Sequence, residues 1–166
     1  MIPNPESKPV SRNDIISIIG LLVVSILFLI TVAQYKIEPL SSLQQKDIYK
    51  QLTGFLLFGF LIYQWYFAFS RRNPTIPVKQ KLFTHKLVGL LMPFLLITHT
   101  TQSGFAYQTM IWSFFVIHCT VGFLNPDFLR IERASLRVYW FILHISLSIM
   151  VSGLSFYHLY VVYYYA

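Results

Sequence analysis

Long apolar runs without charge govern what this chain can become. The stretch from Ile15 to Ala33 carries no charged residue, and neither does Leu52 to Phe69. Three further runs cover Leu82 to about Thr101, Thr109 to Leu124, and Val138 to about Tyr164. Runs of roughly 20 residues match the hydrocarbon core of a bilayer, about 30 Å thick, when wound as helix. Only 11% of the residues are charged and 55% are hydrophobic, with a mean hydropathy of +0.58. Soluble domains carry roughly a quarter charged residues. So few charges cannot solvate a sphere of 166 residues, and lipid is the expected solvent. The expected fold is an all-α integral membrane bundle of about five helices, near residues 15–34, 52–70, 82–102, 109–124 and 138–164. These form a single domain, 14–166, after a polar and mobile tail over 1–13 that holds Pro3, Pro5 and Pro9.

The first run follows Lys8 and Arg12 and so has the look of a signal peptide. Its apolar core exceeds the roughly 7–15 residues of a signal h-region, which favours an uncleaved anchor. The second run ends in Tyr63, Trp65 and Tyr66 and then Arg71-Arg72, an aromatic belt with a positive stop. Asn73-Pro74 and Pro77 break the chain before the third run, and Asn125-Pro126 ends the fourth.

The net charge of +7 does not point to nucleic acid, because the basic residues sit at the ends of apolar runs. Lys8, Arg12, Arg71, Arg72, Lys79, Lys81, Arg130, Arg133 and Arg137 fall on one side of a five-span topology. Lys36, Lys46 and Lys50 fall on the other. The positive-inside rule therefore predicts a multi-pass protein of the cell membrane with its N-terminus cytoplasmic and its C-terminus outside.

Histidines supply the chemistry. His85 and His99 lie on the third run, His144 and His158 on the fifth, and each pair is 14 positions apart. On a helix, 14 residues make nearly four turns, so both rings leave one face about 21 Å apart along the axis. If the third and fifth helices run parallel, the equal spacing pairs His85 with His144 and His99 with His158. Two neutral imidazoles from facing helices can ligate a haem iron axially and give a low-spin, electron-passing centre. The prediction is two stacked haems of b type, with His85, His144, His99 and His158 as the iron ligands. The single Cys119 excludes a Cys-x-x-Cys-His attachment, so no covalent haem is expected. Gly89, Ser148, Gly153 and Ser155 are expected to leave room for flat macrocycles, and Pro93 to kink the third helix. Lys81, Lys86, Arg133 and Arg137 are candidates to neutralise propionates, and Gln102, Tyr107, Tyr157 and Tyr160 are the polar partners at the other end. His118 has no partner at this spacing and reads foremost as a hydrogen-bonding residue of the bundle.

The segments HKLVGLLMPFLLITH (85–99) and RVYWFILHISLSIMVSGLSFYH (137–158) resemble the ferric reductase-like transmembrane superfamily. That group includes the membrane domains of NADPH oxidases and the haem subunit of the bacterial methionine sulfoxide reductase system. The His-x3-Gly opening of the first segment and the Arg-x2-Trp-x3-His opening of the second carry the resemblance. It implies that His85 and His144 ligate an inner haem, His99 and His158 an outer one, and that electrons pass outward. The chain ends just past His158 and shows no GxGxxG or P-loop pattern, so no flavin or NAD(P)H site is expected on it. The expected partners are membrane lipid, a separate flavoprotein or quinol as donor, and an extracytoplasmic acceptor or partner reductase. The chain then reads as the membrane subunit of an oxidoreductase. Two other readings compete: a metal-ion or proton transporter lined by the histidines, and an assembly subunit whose histidines only pack.

Overall fold

The computed structural model describes residues 11–70 and 77–165, without the side chains of Val78 and Lys79. Lys8, Arg71, Arg72 and the Asn73-Pro74 break lie outside the described residues. All regular structure described is helical: α1 (Arg12–Val32), α2 (Glu38–Gln44), α3 (Asp47–Ser70), α4 (Val78–His99), α5 (Tyr107–Phe123) and α6 (Ala134–Tyr164). Four of them, α1, α3, α4 and α6, are long and apolar enough to cross a membrane. The fourth expected span, α5, has 17 residues, about 26 Å at the helical rise.

Helix boundaries differ from the apolar runs because polar residues extend helices beyond lipid. The helix α1 starts at Arg12 rather than after a tail ending at 13. Ser11 accepts from Asp14 N–H while the Asp14 carboxylate accepts from Ser11 N–H, a reciprocal capping box. The polar connection between the first two apolar runs contains α2, whose Pro39 in the first turn suits a helix start. At its far end α4 stops at His99, since Thr100 is extended. The backbone reverses through Gly104 at φ +71°, a conformation open to glycine. Pro93 is buried inside α4, which continues past it as one helix.

The helix α1 is the hub. Ile16, Gly20, Val23, Val24, Leu27 and Thr31 form one buried stripe at helical spacing, and the helix packs against α4 and α5. The helix pairs α3/α4 and α5/α6 complete the bundle. Apolar burial gains little where lipid already surrounds the helices, so association rests on close packing and interhelical hydrogen bonds. Gly20 illustrates the first: a Cβ there would collide with the ring of Phe123 on α5. Trp65 illustrates the second, its Nε1–H donating to Ser152 Oγ on α6 at 2.7 Å. Elsewhere large apolar side chains such as Phe69 (74% exposed) and Leu29 (64% exposed) face outward, as lipid-facing residues must.

Contacts at the helix ends fix the directions. Arg130 pairs with Asp14 at 3.3 Å, Asn125 Nδ2 donates to Ser17 Oγ at 3.1 Å, Lys81 Nζ donates to the Ser70 carbonyl at 2.6 Å, and the Arg12 guanidinium of α1 sits over the Phe83 ring of α4 at 5.2 Å. The starts of α1, α4 and α6 therefore share one end with the finishes of α3 and α5, and this end is basic. At the opposite end Gln44 of α2 donates to the Ile97 and Thr98 carbonyls at 2.8 and 3.3 Å. These are orphan carbonyls of the last turn of α4. Accordingly α4 and α6 run parallel.

Candidate functional site: two imidazole pairs

The parallel course of α4 and α6 brings the four histidines together two by two. His85 faces His144 with ring centres 6.3 Å apart and planes at 83°. His99 faces His158 with ring centres 6.4 Å apart and planes at 88°. The first pair lies toward the basic end, the second near the finish of α4. Neither pair comes from packed backbones: α4 and α6 are not among the closely packed helix pairs, so the rings span a gap.

That separation has chemical meaning. A metal–imidazole bond is about 2.0–2.1 Å, and each ring nitrogen lies about 1.1 Å from its ring centre, so a metal held between two imidazoles sets their centres about 6.3 Å apart. Both pairs stand at this distance, too wide for direct hydrogen bonding across the rings. The separation of the rings at each level is thus the one that two imidazoles holding a haem iron between them would require.

Each ring is held by the neighbour of its own helix. On the α4 side the support comes from α3. Phe67 stacks on His85 at 4.6 Å and 22°, and Gln64 Nε2 donates to the His85 carbonyl at 3.1 Å. Thr53 Oγ1 lies 3.0 Å from His99 Nδ1. Next to it, Gly54 allows α3 to approach that ring, a Cβ there reaching 3.3 Å from His99 Cε1. On the α6 side the support comes from α5. Gly122 leaves the same kind of space over His144, where a Cβ would stand 3.2 Å from Cε1. Tyr107 Oη lies 3.5 Å from His158 Nδ1.

Trp140, part of the Arg-x2-Trp-x3-His segment, stacks on His144 at 5.1 Å and 7°. Its Nε1–H donates to the Val121 carbonyl in the last turn of α5 at 2.9 Å. His118, which the spacing left alone, also stacks on His144, at 4.5 Å and 16°. The Nδ1 atoms of His118 and His144 are buried without a hydrogen-bond partner. His118 is thus a packing neighbour of the first pair, and its ring also hydrogen-bonds the His144 backbone, in keeping with the bundle contact expected of it.

The other residues singled out in the sequence have these surroundings. Gly89 opens toward α3, where a Cβ would meet Gln64 Nε2 at 3.5 Å, so Gln64 already fills that side. A Cβ at Gly153 would meet nothing within 4 Å, the Ser148 carbonyl accepts from Ser152 Oγ, and Ser155 Oγ donates to the Val151 carbonyl. Arg137 is engaged by Asp127 at 2.9 Å and by the Ile131 carbonyl at 2.8 Å. With Lys81 tied to Ser70, Lys86 and Arg133 are the remaining basic residues of the expected set. Lys86 is buried, and Arg133 is the exposed residue before α6. Of the polar partners expected at the far end, Tyr107 reaches a histidine, whereas Tyr160 stacks on Tyr164. Tyr157 packs edge-on to Tyr107, and Gln102 is exposed, its carbonyl accepting from Thr100 Oγ1.

Sequence reasoning missed Thr53, Gly54, Gln64, Phe67 and Gly122. Among the described residues, no three His, Cys, Asp or Glu side chains are grouped so as to hold a metal ion. The chain matches no family model, no curated protein and no solved structure.

Proposed function

We propose that this chain is a b-type cytochrome subunit that carries electrons across a membrane through two haems. His85 and His144 would hold one haem, His99 and His158 the other. The observation that carries the reading is the repeated separation, 6.3 and 6.4 Å, of perpendicular imidazoles on two parallel helices. Haem held by these imidazoles would supply a one-electron iron couple suited to relay rather than to oxygen binding.

The protein's part is to hold and shield. Phe67 and Trp140 flank the first pair with aromatic faces, and Thr53 and Tyr107 set hydroxyls beside the second. Between the two levels lie Met92 and Val151, seven positions from the histidines of their helices and both buried. This dry layer keeps water from between centres about 21 Å apart along the helix axis.

Five crossings, counting the shorter α5, suit the charge bias, with the basic end cytoplasmic and the end bearing His99 and His158 outside. On the resemblance to ferric reductase-like proteins, a separate flavoprotein or a quinol delivers electrons at the basic end. An extracytoplasmic acceptor such as ferric iron, oxygen or a partner reductase receives them. The chain is then the membrane subunit of an oxidoreductase. Purification after haem-replete expression tests this: the expected result is a reducible low-spin spectrum with about two haems per chain. A colourless, folded preparation overturns it.

A further inference from the structure

Thr53 lies on α3, outside the helices that carry the histidine pairs, yet its hydroxyl touches His99. A threonine hydroxyl has one proton to give. Here that proton is directed at the Tyr49 carbonyl one turn back, at 2.8 Å, with the Lys50 carbonyl at 3.2 Å as a second acceptor. Such back-bonding is the usual habit of threonine within a helix. The oxygen is thus left to accept, and the group 3.0 Å away is His99 Nδ1, on a ring that also hydrogen-bonds the Lys50 backbone. The ring proton belongs on Nδ1, and Nε2 keeps the lone pair that a metal requires.

We infer that Thr53 is a positioning residue for the outer centre, fixing the His99 tautomer and ring angle so that Nε2 faces His158. This rests on the two-haem reading and adds to it a protein group that acts through the ligand. Gly54 beside it completes the seat by letting α3 come close to the ring. The first pair has no equivalent on α6, since His144 Nδ1 is buried without a partner. Such bonds raise the basicity of an imidazole and hold its orientation.

The test compares wild type, Thr53→Val and Thr53→Ser as full chains, each by haem count, redox titration and electron paramagnetic resonance of the oxidised protein. Valine keeps the shape and removes the acceptor; serine keeps the acceptor. The expected result is a Thr53→Val protein that retains the inner haem and holds the outer one about 10–100-fold more weakly. Any outer haem retained should titrate at a raised potential with an altered low-spin signal, because a less basic imidazole stabilises ferric iron less. Thr53→Ser should restore wild-type values. A Thr53→Val protein identical to wild type overturns the inference and leaves the two-haem reading standing. Loss of both haems from Thr53→Val also overturns it, because Thr53 would then support the bundle rather than one ring. A wild type without haem overturns the reading beneath it.

Discussion

The Trp140 indole lies nearly coplanar in orientation with the His144 imidazole, 7° between planes and 5.1 Å between centres, while its N–H reaches the Val121 carbonyl of α5. One side chain thus ties α6 to α5 and braces a candidate ligand one turn further on. Trp140→Phe should keep most of the stacking and lose the tie, whereas Trp140→Leu should lose both. Redox titration of the two proteins should show a disturbed inner centre, more so for leucine, with the outer centre unchanged.

Removing a ligand should separate the centres cleanly. His99→Leu and His158→Leu are each expected to lower the haem count from about two to about one. The double variant should lose no more than either single, since both act on one site. His85→Leu and His144→Leu should spare the outer haem instead. Haem extraction against protein concentration reads this directly.

The glycines opposite the rings should be intolerant of branched side chains. At Gly122 an added Cβ stands 3.2 Å from His144 Cε1, and at Gly54 it stands 3.3 Å from His99 Cε1. Alanine asks each ring to give by a few tenths of an ångström, while valine adds methyl groups with nowhere to go. Gly122→Val should therefore impair the inner centre and Gly54→Val the outer, each with a milder alanine counterpart. Optical spectra at fixed potentials distinguish the two.

Much of this was legible before the structure. Runs of uncharged residues marked the helices, and the 14-residue spacing fixed which histidines share a face. The rest depended on knowing which helix lies beside which. A threonine in an apolar run reads as ordinary packing until α3 is seen against α4, so Thr53 gave no signal of its own. Gly89 reads as making room because its neighbour Gln64 is 25 positions earlier in the chain. Local signals are present in the sequence: Ser11 with Asp14 announces the start of α1, and Glu38-Pro39 the start of α2. His118 could not be placed because stacking on a ring 26 positions away leaves no periodic trace.

The Trp65–Ser152 hydrogen bond joins α3 to α6 inside the apolar region. Ser152→Ala should destabilise the bundle by about 0.6 kcal/mol, with roughly 1.7 kcal/mol as the upper end for such bonds in membranes. A double-mutant cycle with Trp65→Phe, followed by unfolding in mixed micelles, isolates the pair from the packing each residue contributes.

Orientation is open to labelling. In a Cys119→Ser background, Gln45→Cys places an exposed thiol at the end bearing His99, and Glu132→Cys places one at the basic end. An impermeant maleimide on intact cells should modify the first and reach the second only after permeabilisation.

Both imidazole pairs are carried by the same two parallel helices, like rungs between two rails. A slip of α6 past α4 by one helical turn, about 5.4 Å, would part both rungs at once. Neither site can be lost to misregister while the other survives. Each bound group would therefore act as a gauge for the other: filling one site correctly sets the height at which the second must form.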